Sequence, residues 1–102
     1  MTDDYRDIRS FLDENGRLTA FPAKAKKKLY ALYYLGTKME AGRFYTEREI
    51  GDLLDEWTLF HDPATLRREL YNRRLLNRTN DGARYWKEEN LPDLAAFIAA
   101  NL

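Results

Sequence analysis

The arginines are the residues of this chain with the most chemistry to offer. Arg67, Arg68, Arg74 and Arg78 recur at close spacing, and Arg84 and Lys87 follow shortly after. A guanidinium presents a rigid fork of donors that matches phosphate oxygens or the acceptor edge of a base, whereas an ammonium acts as a point charge. On a helix, Arg67, Tyr71 and Arg74 at i, i+4 and i+7 would share one face, with Arg68 and Asn72 beside it. The pattern predicts nucleic-acid contact through Arg67, Arg68, Tyr71, Arg74, Arg78, Arg84 and Lys87. A plainer reading competes with it. At least one arginine would pair with Glu49, Asp52 or Asp55 of the preceding segment and so fix the crossing of two helices.

Other chemistry is thinly supplied. The chain has one histidine and no cysteine, so the ligands that borderline metals prefer are nearly missing, and a disulfide framework is excluded. His61 stands next to Asp62, but Asp62 is already accounted for as a helix cap. The adjacent carboxylates Asp3-Asp4 and Glu88-Glu89 do not supply the opposed pair that general acid-base work requires. The five glycines are scattered and form no phosphate loop. The expectation is a protein that is not an enzyme and carries no cofactor or metal.

The segments that must position the arginines can be read in order. Tyr5, Ile8, Phe11 and Leu12 have helical spacing, which predicts a short amphipathic helix over about Asp4 to Asp13, stopped by Asn15-Gly16. Leu18-Thr19-Ala20 is extended. Phe21-Pro22 then opens a helix to about Lys38, with proline near its first turn. Leu29, Leu32, Tyr33 and Gly36 form its core face, and Lys24, Lys27, Ala31, Tyr34 and Lys38 lie on another. The lysine run Lys24 to Lys28 reads as a solvated face or a phosphate contact. Met39 to Arg43 is a loop, and Phe44-Tyr45 a short strand candidate.

Thr46 and Glu49 fit a capping box, in which hydroxyl and carboxylate each satisfy a backbone N–H left over at a helix start. Ile50, Leu53, Leu54 and Trp57 make that helix's buried stripe. Thr58 to His61 is a turn, and Asp62-Pro63 caps and starts a helix running to about Arg74, with Leu66 and Leu70 inward. Leu76 to Thr79 and Arg84 to Lys87 flank Asn80-Asp81-Gly82-Ala83, a hairpin turn of the Asp-Gly kind, in which both positions tolerate positive φ. Helix, turn, helix and hairpin in this order make a winged helix-turn-helix, whose second helix can enter a DNA groove while the hairpin reaches the flanking backbone. A terminal helix over Leu91 to Ala100, with Leu94, Phe97 and Ile98, packs either on its own core or on a second subunit. The expected class is α+β, mostly helical: an N-terminal helix and linker over 1–20, a winged-helix-like domain over 21–87, and a C-terminal helix over 88–102.

Composition sets the outer bounds. A chain of 102 residues has room for one modest core. Its 44% hydrophobic residues argue for a folded domain, and its 33% charged residues for a heavily charged exterior. Basic and acidic residues balance at 17 each, against the usual excess of basic groups in DNA-binding modules. The charges are nevertheless segregated. Residues 24–48 hold seven basic and two acidic groups, residues 49–60 four acidic and no basic ones, and residues 61–87 seven basic and three acidic ones. No stretch approaches the apolar length of a membrane span, and the start has no signal-peptide pattern, so a soluble cytoplasmic protein is expected.

The run YTEREIGDLL followed by DPATLRRELYNRRLLNRTNDGARYW resembles a bacterial domain of unknown function, family 2087. The family's pattern is an aromatic, Lys-rich first helix, then Tyr-Thr/Ser-Glu-x-Glu-hydrophobic, Asp-x-x-x-Leu-Arg-Arg-x-Leu, Leu-x-Arg and Gly-x-x-Tyr. These fall on Tyr45 to Ile50, Asp62 to Leu70, Leu76 to Arg78 and Gly82 to Tyr85, and the likeness covers residues 21 to 87. Gly51 departs from it, standing where the pattern has asparagine, and it puts a helix-disfavouring residue in mid-helix. The resemblance implies a winged-helix-like fold, found alone or attached to helix-turn-helix transcription regulators, with no established activity.

Three functional expectations follow. The leading one is a transcription-regulatory domain that contacts duplex DNA through the arginine helix and hairpin, as a homodimer. The second is a protein-interaction or dimerisation module in which a basic face meets an acidic face of a second copy or a regulator, anchored by the terminal helix. The third is a ligand pocket lined by tyrosines, against which the nine aromatics Tyr30, Tyr33, Tyr34, Phe44, Tyr45, Trp57, Tyr71, Tyr85 and Trp86 read mainly as core, with Tyr34 and Tyr71 the most exposed.

Overall fold

The capping signals translate directly into helix starts. In the computed structural model, which describes residues 3–102 and side chains from Tyr5 onward, α2 spans Glu47–Glu56 and α3 spans Pro63–Asn72. The Asp3-Asp4 carboxylates lie outside the described residues. Thr46 Oγ1 accepts from the Glu49 N–H at 3.1 Å, and Glu49 Oε1 accepts from the Thr46 N–H at 2.8 Å, so the capping box is complete. Asp62 Oδ1 accepts from the Thr65 N–H at 3.3 Å, with Pro63 at the first helical position. Ile50 and Leu54 of α2 and Leu66 and Leu70 of α3 are fully buried in one core. Each such side chain contributes roughly 1.5–3 kcal/mol through area removed from water.

The hairpin pairs β1, Leu76–Arg78, with β2, Tyr85–Lys87, antiparallel, in the register Leu76 with Lys87, Asn77 with Trp86 and Arg78 with Tyr85. Tyr45 adds to the far side of β2 as a single bridge, exchanging 2.8 Å backbone bonds with Tyr85 in both directions. The strand candidate Phe44-Tyr45 is thus reduced to one pairing residue, because Tyr45 is buried while Phe44 is 59% exposed. Two helices joined by a turn, then a hairpin whose inner strand is also bridged from the segment before α2, form an α+β arrangement compatible with a winged-helix-like fold. Five helices and one two-stranded sheet are present among the described residues.

Three segment expectations need correction. Asp3–Phe11 is a 3₁₀ helix with a break at Tyr5 (φ −108°, ψ 25°), where the spacing predicts an amphipathic α-helix. So short a segment has little helical stability of its own, and its packing decides its geometry: Tyr5 meets Tyr34 edge-on at 5.1 Å, and Ile8 is fully buried. Helix α1 spans Ala25–Gly36, so Phe21-Pro22 leads into the helix without starting it; Lys24 occupies the cap position with no side-chain bond. Ala31 belongs to the core face of α1, together with Leu29, Leu32 and Leu35, and not to the lysine face.

The N-terminal segment and the C-terminal helix share the same core. Leu18 is fully buried, and its N–H donates to Trp57 O while its C=O accepts from the Leu59 N–H, both at 2.9 Å. It is therefore tied to the turn between α2 and α3 from both sides. Helix α4, Leu94–Asn101, is capped by Asp93 and packs on α1: Phe97 and Ile98 are buried, and Tyr33 lies 5.3 Å from the Phe97 ring and donates its hydroxyl to Pro92 O at 2.7 Å. Of the two partners open to this helix, its own core is the one it takes. No helix among the described residues is long and apolar enough to cross a membrane.

Candidate nucleic-acid interface

The outer face of α3 and the hairpin enclose an open hollow of about 400 Å³. Its walls include Arg67, Arg68 and Tyr71 from α3 and Arg78 and Tyr85 from the two strands. The helical repeat brings Arg67, Arg68 and Tyr71 to this side because Leu66 and Leu70 turn inward. Leu76 at the start of β1 is buried in the core, and Arg78 at its outer end is exposed. Two of the guanidiniums lie over rings: Arg78 is 5.0 Å from the Tyr71 centroid and Arg67 is 5.9 Å from Tyr85. Such contacts limit the motion of a charged head without neutralising it.

The arginines differ in how far they are engaged. Arg67 Nη2 lies 3.1 Å from Glu47 Oε1 at the start of α2, and its side chain is only 23% exposed. The expected pairing of an α3 arginine with α2 is therefore present, but through Glu47 and not through Glu49, Asp52 or Asp55. Glu49 is occupied by its capping role and by Arg43 at 3.8 Å. Asp55 lies 3.9 Å from Nδ1 of the exposed His61. Arg68 and Arg78 have no acidic partner within ion-pair distance among the described residues. Tyr71 is 41% exposed, as expected, whereas Tyr34 is half-buried with its hydroxyl on Gly16 O at 2.6 Å.

Arg74 does not share this face. Helix α3 ends at Asn72, with Arg73 as its C-cap and Arg74 in the left-handed region at φ 62°. The Arg74 N–H donates to Tyr71 O at 3.1 Å and the Leu75 N–H to Leu70 O at 2.9 Å, the bonding of a Schellman turn, in which glycine is the usual residue at Arg74's position. The chain reverses there, and Arg74 lines a second hollow beyond the helix end. The i, i+4, i+7 stripe of Arg67, Tyr71 and Arg74 therefore does not form.

The wing loop is held by its own polar side chains. Thr79 Oγ1 donates to Asp81 Oδ1 at 2.6 Å, and the same carboxylate accepts from the Ala83 N–H at 3.0 Å. These bonds, the first from Thr79, hold the Asp81 carboxyl below the usual carboxylate range, with Arg84 adding to the effect. Only Gly82 takes a positive φ, 72°, so Asp81 acts through its side chain and not through backbone permissiveness. Arg84 lies over Phe44 at 5.6 Å, and Phe44 meets Trp86 edge-on at 5.7 Å. Lys87 is half-buried at the end of β2. The lysine run near the start of α1 engages other surfaces, Lys27 lying over Phe11 and Lys28 over Phe21.

The sequence over residues 17–87, more than half of the chain, matches the profile of DUF2087, described as an uncharacterized protein conserved in bacteria. The chain belongs to this family. No curated protein and no solved structure matches it. The DUF2087 span opens just before Leu18 and closes at the end of β2, so it takes in the tie to the helix-helix turn, the α2–α3 pair and the whole hairpin. Sequence reasoning missed two site residues, Glu47 and Tyr85. Glu47 lies one residue after the Thr46 cap, in the helix's first turn, and a carboxylate there can reach the next helix as well as the dipole of its own.

Proposed function

We propose that this DUF2087 chain is a non-enzymatic, cytoplasmic DNA-binding module of a transcription-regulatory system, contacting duplex DNA with α3 and the hairpin. One observation carries the reading: Arg67, Arg68 and Arg78 converge with Tyr71 and Tyr85 on a single open hollow between helix and wing. Phosphate contacts position such a module, and Arg68 and Arg78, held without carboxylate partners, are suited to them. Arg84 extends the cationic surface to the wing, and Lys87 lies at its base. Arg67 is partly engaged by Glu47, which accords with a neutral chain that binds DNA weakly as a single copy.

Fluorescence anisotropy of a labelled duplex tests the reading. Binding should weaken with salt, and Arg68→Ala with Arg78→Ala should lower the slope of log K against log salt by about one unit for each phosphate-binding arginine removed. No binding at about 50 mM salt, a condition that favours phosphate contacts, overturns the reading.

A protein-interaction module is the second reading, favoured by Phe44, which is 59% exposed beside Trp86 and Arg84. The terminal helix cannot serve as its anchor, because Phe97 and Ile98 are buried in the chain's own core beside α1. A concentration-independent monomer mass in light scattering removes self-association through the Phe44 patch.

A further inference from the structure

We propose that the hollow at the C-terminal end of α3 is a binding site for a small oxyanion, a phosphate or carboxylate group on a compact ligand. It shares Asn72 with the α3–wing hollow but none of that hollow's arginines. It encloses about 530 Å³ and is bounded by Asn72, Arg73 and Arg74 at the helix end, Asn90 after β2, and Phe97 and Asn101 of α4. That volume is in the range of small-molecule sites.

Three observations support the assignment. First, Arg73, Arg74 and Glu88 line the hollow, and both Glu88 oxygens already have donors, Asn77 Nδ2 on one and the Asn90 N–H at 3.3 Å on the other. Neither Arg73 nor Arg74 has an ion-pair partner among the described residues. Second, amide side chains supply neutral donors and acceptors around these charges, and Asn101 is held in place by its Nδ2 bond to Phe97 O at 2.9 Å. Phe97, packed on Tyr33, forms part of the floor. Third, Arg74 occupies a left-handed turn position that glycine would take without strain. The turn itself does not need an arginine, and the residue that fills it lines the hollow. Strain of this kind collects at ligand sites.

The test is an amide NMR titration of the full chain at constant ionic strength, with inorganic phosphate in one arm and succinate in the other. Saturable shifts centred on Arg73, Arg74 and Asn90 are expected in at least one arm, and the tighter arm names the oxyanion. Arg74→Gly should weaken that binding at least about tenfold, since a charge-assisted bond is removed while the turn keeps its backbone. Glycine accepts the left-handed conformation, so thermal unfolding should find the variant folded. Arg68→Ala with Arg78→Ala should leave the titration unchanged. Shifts that never saturate, that centre on Arg68 and Arg78, or that persist undiminished in Arg74→Gly would overturn the site.

Discussion

The two ends of α3 are made in opposite ways. At its start, Asp62 and Pro63 are the residue types a helix N-terminus favours, and the Asp62 carboxylate is fully explained by the Thr65 N–H it receives. At its end, the chain reverses through a Schellman turn whose left-handed position is filled by arginine. The cap at the start agrees with local preference, although His61 just before it is left-handed at φ 50°, whereas at the end the turn position itself is filled by arginine at φ 62°. Local rules of this kind are broken most often at functional or strained sites. The same residue type thus serves two purposes within a few positions: Arg68 stands on a regular helix face beside the wing, and Arg74 is turned away from it by one backbone conformation.

The largest test of this contrast removes what both ends share. Leu70 is fully buried, and its carbonyl receives the Leu75 N–H of the turn. Leu70→Ala should cost about 2–5 kcal/mol in denaturant unfolding and weaken both hollows together. Asp62→Ala should cost about 1 kcal/mol by the same measurement, as expected for loss of a helix cap. Arg74→Gly should move stability the other way, by up to about 1 kcal/mol, because relief of the left-handed penalty exceeds the added freedom of the unfolded chain. A destabilised Arg74→Gly would mean that the arginine is kept for its packing, and the contrast between the ends would fail.

Smaller changes sharpen the picture. Glu47→Gln should alter stability by less than about 1 kcal/mol, since the Glu47 side chain is 62% exposed. It should tighten duplex binding by freeing Arg67, read as a steeper salt slope in anisotropy. The smallest effect concerns acid. The Thr46 N–H holds the Glu49 carboxyl below its ordinary range, and the Thr46 hydroxyl and Arg43 add to this. A lowered folded-state pKa gives stability that is fully present above the unfolded value near 4.5 and is lost as pH falls through the folded one. Glu49→Gln should therefore flatten the acid limb of a stability profile below that pH and leave its shape near neutrality unchanged.

Much of the frame is legible in the sequence because its signals are local. The Thr46–Glu49 box, the Asp62-Pro63 start and the Asp-Gly hairpin each satisfy backbone groups within a few residues. What escapes is non-local or lacks its usual marker. Sequence spacing carries α3 on to Arg74, past its true end at Asn72, because no glycine announces the stop. The 3₁₀ geometry before Leu12 and the tie of Leu18 to the helix-helix turn depend on partners far along the chain. The arginine site is half legible: helical spacing places Arg67, Arg68 and Tyr71 together, while Arg74's departure rests on a single φ.

The two backbone hydrogen bonds of Leu18, to Trp57 and from Leu59, clasp the α2–α3 turn from a segment far away in the chain. Leu18 is at once a member of the core and the residue that holds this turn. Amide exchange offers a way to see this grip, since the N–H groups of Leu18 and Leu59 bracket the same clasp and should open as one event.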